Sequence, residues 1–158
     1  MTATQQPRFG LSAAVDVAVL LAVLICLAAC DGFPADPEAT TERVTHSGTL
    51  RSGIVAAPGS EESLARGFVE KLAAAAGAEA KVKRGSAELL LKDLEQGGLD
   101  VVIGAFAKES PWRKRVALSP PLKAQEPPGD LPVLRAAVRS GENRWLLFVA
   151  RHLAQGRE

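Results

Sequence analysis

"LDVVIGAFAKESPWRKRVALSPPL", residues Leu99–Leu122, joins a continuous apolar run to a Ser-Pro-Trp corner carrying three cations, and then to a second short apolar segment. The run "VVIGAF" has no polar alternation. That is the pattern of a strand covered on both faces, which belongs to a parallel sheet flanked by helices. Trp112 and the cations Arg113, Lys114 and Arg115 follow it directly. In open α/β sheets this is the end at which ligands gather. The stretch therefore sets both the fold class and the first place to look for a site.

Upstream, strand-like and helical segments alternate. "LRSGIVAA" (Leu50–Ala57) reads as a strand ending at Pro58-Gly59. Ser60 then stands where a helix cap is expected, with Glu61 and Glu62 favourably placed in the first turn of the helix dipole. Leu64, Phe68, Val69 and Leu72 form a helical stripe that stops at Gly77. "AKVKRG" (Ala80–Gly85) alternates as a half-buried strand, and Ser86 caps a helix whose Ala87, Leu90, Leu91 and Leu94 share a face. Downstream, "RVALS" is a short strand and "PPLKAQEPPGDLP" a proline-rich loop. "VLRAAV" (Val133–Val138) is a further strand. The last helix points Leu146, Val149, Ala150 and Leu153 at the core, and Trp145 reads as packing. Alternation of strand and helix implies right-handed crossovers, with helices on both faces of a mostly parallel sheet of about five strands.

The N-terminal third has a different composition. Val17–Ala29, "VAVLLAVLICLAA", is an apolar run of 13 residues, short for a membrane span and suited to the core of a signal peptide. It leads into Leu27-Ala28-Ala29-Cys30, which resembles the lipobox of bacterial lipoproteins. That resemblance implies a signal peptide over 1–29, lipidation of Cys30 and an extracytoplasmic location in the cell envelope. An uncleaved anchor helix is the other reading, and it too holds the body at a membrane outside the cytoplasm. Residues 30–48 are rich in Pro, Thr, Asp and Glu without apolar periodicity, and read as a flexible tether. The folded body is then expected over 49–158, one lobe with a single core.

Several pieces together resemble the first lobe of the bacterial extracellular solute-binding proteins of family 3. They are "VKRGSAELLLKDLEQGGLDVVIGAF" (Val82–Phe106), "WRKRVALSPPL" (Trp112–Leu122), the first strand "LRSGIVAAPG" and the final strand and helix. The resemblance covers most of residues 49–156 and implies a periplasmic-binding-protein-like lobe of three layers. It also implies recognition of a small polar solute, such as an amino acid or organic acid, for an ABC-type transporter. Two departures stand out. Members of that family build a second lobe between the outgoing and returning strands, where this chain has only "KAQEPPGD". The family's carboxylate-binding arginine falls twelve positions after the strand's Asp, and twelve positions after Asp100 stands Trp112, with Arg113 next. A single lobe implies weak binding, or a site completed by a permease or a second copy.

The candidate ligand residues are those at the carboxyl ends of the strands. Ser60 and Ser86 open helices whose first N–H groups suit an anion. Gly104, Ala105 and Phe106 end the central strand, and Gly104 would admit a ligand close to the backbone. Trp112 offers a flat face and Arg113 a bidentate fork for a carboxylate. Two structural roles compete: Trp112 covering a sheet edge, and Arg113-Lys114-Arg115 as a solvated turn. Both cysteines, Cys26 and Cys30, lie in the N-terminal segment, and the two histidines are isolated. No nucleophile–base pair or metal-ligand spacing is visible, so no enzyme activity, cofactor or metal is expected. A net charge of +1 on 158 residues gives no sign of a nucleic-acid partner. A non-binding interaction module, docking an envelope protein through Phe106, Trp112 and Pro120-Pro121, is the alternative function.

Overall fold

The computed structural model describes residues 35–122 and 128–154; the expected signal peptide and Cys30 lie outside them. Five strands form one sheet: β1 (Thr49–Val55), β2 (Glu79–Gly85), β3 (Val101–Phe106), β4 (Val116–Leu118) and β5 (Val133–Arg139). Their spatial order is β2-β1-β3-β5-β4. The first three are parallel, while β5 runs antiparallel to both β3 and β4. This is the expected α/β lobe, with one reversed strand inserted where the chain returns.

Among the described residues four α-helices flank the sheet: α1 (Thr40–Ser47), α2 (Gly59–Ala75), α3 (Ala87–Glu95) and α4 (Asn143–Ala154). Two apolar layers show how they divide between the faces. Val44, Phe68, Val69, Leu72, Trp145, Val149 and Leu153 of α1, α2 and α4 pack with Leu50, Ile54, Ile103 and Val138 on one face. Leu90, Leu91 and Leu94 of α3 pack with Val102, Phe106 and Val116 on the other. Residues alternate between the faces along β3, so a central strand between two helical layers must be apolar throughout.

The helices depart from expectation in their details. The α2 stripe is Ala65, Phe68, Val69, Leu72 and Ala73, with Leu64 left exposed. Ser60 does not cap α2. Pro58 holds the cap position and its carbonyl accepts from Glu61 N at 3.0 Å, so the helix starts earlier and Ser60 falls inside its first turn. A proline with φ −59° is pre-set for that place and has no N–H to satisfy. The buried face of α4 is centred on Trp145, Val149 and Leu153, leaving Leu146 and Ala150 at its margin.

The expected tether is the larger correction. Residues 35–48 are folded, and α1 lies against β1 and α4. "TTERVTHS" has one buried apolar anchor, Val44, so burial alone does not hold it. Carboxylates do. Glu142 accepts from the backbone N–H groups of Glu38 (2.8 Å) and Thr40 (3.0 Å) at the start of α1. Asp36 accepts from Thr41 N (2.8 Å) through one oxygen and from Trp145 N (3.1 Å) through the other. The Asp36 carboxylate thus serves the first turns of α1 and α4 together, where free N–H groups and the dipole favour negative charge.

Candidate functional site

The Ser-Pro-Trp corner folds as a short 3-10 helix, Pro111–Lys114, opened by Ser110, whose Oγ accepts from Trp112 N at 3.4 Å. This turn carries its residues in different directions. Trp112 is half-buried and packs onto the α3-side layer, as Val55, Ala87 and Leu118 also do. The Arg115 guanidinium sits 5.7 Å from its ring centroid and pairs with Glu95 at 3.4 Å. Trp112 therefore covers the core at this edge. It also lines a shallow depression with Glu88, Pro111 and Arg115.

Arg113 points the other way, into an open concavity of about 440 Å³ lined by Lys108, Val116–Pro120 and Arg135. At the back stands Arg135, only 3% exposed. Its position in β5 is opposite Gly104, and its side chain reaches the end of β3 and the residue that follows β4. Nε donates to the Phe106 carbonyl at 3.2 Å and Nη1 to the Ser119 carbonyl at 3.0 Å. Ser119 Oγ in turn accepts from Ala136 N at 3.0 Å. The buried guanidinium so joins the carboxyl end of β3 to the segment leaving β4. It places a cationic side chain in the back wall of the concavity. Lys108 and Arg113 add mobile cations at the rim. Glu109 pairs with Arg113 at 2.6 Å.

The sequence candidates are only partly brought together. Arg113 lines the concavity, while Ser60 and Ser86 do not. Ser86 caps α3 as expected, accepting from Leu89 N at 3.5 Å. Ala105 is exposed, whereas its neighbours Gly104 and Phe106 are buried. The three therefore do not form a common ligand surface. Gly104 is not required for approach by a ligand. A Cβ there would fall 2.5 Å from Val55 Cγ2 and 2.7 Å from Val55 Cβ, so glycine allows β1 and β3 to pair. Gly104→Ala is expected to destabilise the lobe by about 2 kcal/mol through overpacking, read as a lower melting temperature without new chemistry at the rim. The polar lining residues Lys108, Ser119 and Arg135 escaped the sequence reading. For Arg135 a signal existed, a lone charge inside the apolar strand "VLRAAV". Among the described residues, no group of three or more His, Cys, Asp or Glu side chains converges as a metal site.

No protein-family model matches the chain, and no curated protein matches it. Solved structures do. The arginine-bound form of domain 1 from TmArgBP, of T. maritima, superposes with a TM-score of 0.62 at 21% identity, covering 72% of this chain and 97% of that one. A mutant of the same domain gives 0.62 at 21%, over 73% and 96%. An ancestral cationic amino acid solute binding protein gives 0.61 at 14%, over 74% and 93%. At these identities the likeness establishes the fold: the described body is a periplasmic-binding-protein-like lobe.

Proposed function

We propose that this lobe is a solute-binding module that receives a small polar solute, an amino acid or organic acid, in the Lys108–Arg113–Arg135 concavity. The observation that carries the reading is the buried Arg135 guanidinium, which stands behind two rim cations at the carboxyl edge of the sheet. The residues suit binding by charge and hydrogen bonding rather than catalysis. An open lobe cannot enclose its ligand by hinge closure, so a permease or a second copy would complete the enclosure. The wider setting we propose is lipidation at Cys30 and an extracytoplasmic body, as the N-terminal sequence implies, with delivery to an ABC-type transporter, as the family resemblance implies.

The alternative, a docking module using Phe106, Trp112 and Pro120-Pro121, has less surface to offer. Phe106 is 5% exposed and Pro121 is buried, which leaves Pro120 and the half-buried Trp112.

The test is thermal melting of the full chain in detergent against a panel of amino and organic acids at 1 mM. A solute bound with a Kd of roughly 10 μM stabilises by about 2.7 kcal/mol, on the order of 10 °C for a lobe of this size. A cooperative melt that no solute shifts would overturn the reading in favour of a protein partner, to be sought by co-purification from membranes.

A further inference from the structure

Residues 35–48 have the composition of a tether and yet are docked, chiefly through polar contacts. We infer that this segment is a stowed tether, a strap that releases from the lobe as one unit while the sheet stays folded. Its α1 buries only Thr40 and Val44. Arg43 pairs with Asp100 at 2.6 Å, Glu38 with Arg139 at 3.2 Å, and Glu42 with Arg144. Both Glu142 oxygens accept from strap amides, those of Glu38 and Thr40. Release leaves no charge orphaned in the core. Asp100 keeps Arg51, which donates through its amide at 2.9 Å and Nη2 at 2.6 Å. Glu142 loses the two amides that accompany the strap, and water takes their place. The side chains of the other two pairs already reach water. An element that buries so little apolar surface belongs to the low-stability end of a fold.

Backbone geometry at the two ends of the strap agrees. Ala39, the N-cap of α1, sits at φ 50° and ψ 39°, the one left-handed residue other than glycine among the described residues. That conformation is costly for alanine and persists only where the surroundings impose it. Release relieves it. At the other end Gly48 stands at φ 61°, with open space where a side chain would be. Its carbonyl accepts from Glu79 N at 2.8 Å, so the sheet begins there and Gly48 is the hinge. Once free, the eight residues of α1 are too few to hold a helix in water. Docked, four residues, 31–34, separate Cys30 from Ala35; released, the 18 residues 31–48 separate it from Thr49. Fully extended, these connections span at most about 18 Å and about 65 Å. The longer reach would let an anchored lobe meet a permease. That consequence rests on the anchoring proposed above, whereas the strap itself does not.

Hydrogen exchange of the full chain in detergent, followed amide by amide across a denaturant series, tests this. Amides of Thr40–Ser47 should share one opening, at least about a hundredfold more frequent than that of β1 and β3 amides. It should respond weakly to denaturant, because it exposes little surface. Ala39→Gly removes the strain and should make the opening about three- to tenfold rarer. Arg43→Gln removes one catch, with Asp100 still held by Arg51, and should make it about tenfold more frequent. Strap amides that exchange only together with the sheet overturn the inference, since the segment is then part of the core. Protection that falls residue by residue from the start of α1 overturns it too, because that is fraying and not release. So does an Ala39→Gly strap that opens as often as the wild type. Each of these results leaves the solute-binding reading standing, and a melting panel that no solute shifts overturns that reading without touching the strap.

Discussion

Trp145→Ala is expected to lower stability by about 4 kcal/mol, on the order of 15 °C in melting temperature for a lobe of this size. The side chain is fully buried, so its removal leaves a cavity that the surrounding strands cannot close. Three further losses coincide there. The indole stacks on Phe148 with ring centroids 5.3 Å apart. Its Nε1 donates to the Asp100 carbonyl at 2.8 Å, tying α4 to the start of β3. Its packing also supports the turn in which its backbone N–H meets Asp36, and hence the docking of α1. Trp145→Phe separates these contributions, since it keeps an aromatic ring and loses only the donor and part of the volume. We expect it to cost about 1–2 kcal/mol. Equal losses for the two variants in denaturant melts would mean that the hydrogen bond, and not the volume, dominates.

Asp100→Ala is expected to cost about 3 kcal/mol and to loosen residues 35–48 in particular. The carboxylate is fully buried and accepts from Arg43 Nη2 and Arg51 Nη2, both at 2.6 Å, and from Arg51 N at 2.9 Å. Arg43 belongs to α1 and Arg51 to β1, so one side chain pins the N-terminal segment to two strands of the sheet. Removing it leaves the Arg51 amide unsatisfied and two guanidiniums facing each other. Both guanidinium side chains are about one-third exposed and can recover water, which holds the cost below that of an enclosed ion pair. Hydrogen exchange distinguishes this from uniform weakening. Amides of Thr40–Ser47 should lose protection before those of β3, and loss in both together would contradict the pinning role.

How far the sequence could be read depended on which force holds each piece. Strands and helices stabilised by burial announce themselves through periodicity. "VVIGAF" is apolar throughout because both its faces are covered, and the Leu90, Leu91 and Leu94 face of α3 follows the helical spacing. By contrast α1 is held by Glu142 and by Asp100, partners 102 and 57 positions away respectively. Nothing in "TTERVTHS" records that, and its composition resembles a linker. The site shows the same contrast. Arg113 was legible from its place after a central strand. Arg135 contributes through a carbonyl on each side of its own strand, and that arrangement exists only once β5 lies between β3 and β4. Gly104 illustrates the opposite error. A glycine at a strand end invites a ligand-contact reading, but Val55 alone accounts for it.

The central claim is that the lobe receives its solute at the Arg135 concavity, and amide chemical-shift mapping of the full chain in detergent tests it most directly. Titration with the tightest-binding solute should perturb Lys108, Arg113, Ser119 and Arg135 first and most strongly, saturating together with one affinity. Perturbations centred instead on Glu88, Trp112 and Arg115, or spread without saturation at millimolar solute, would contradict the account.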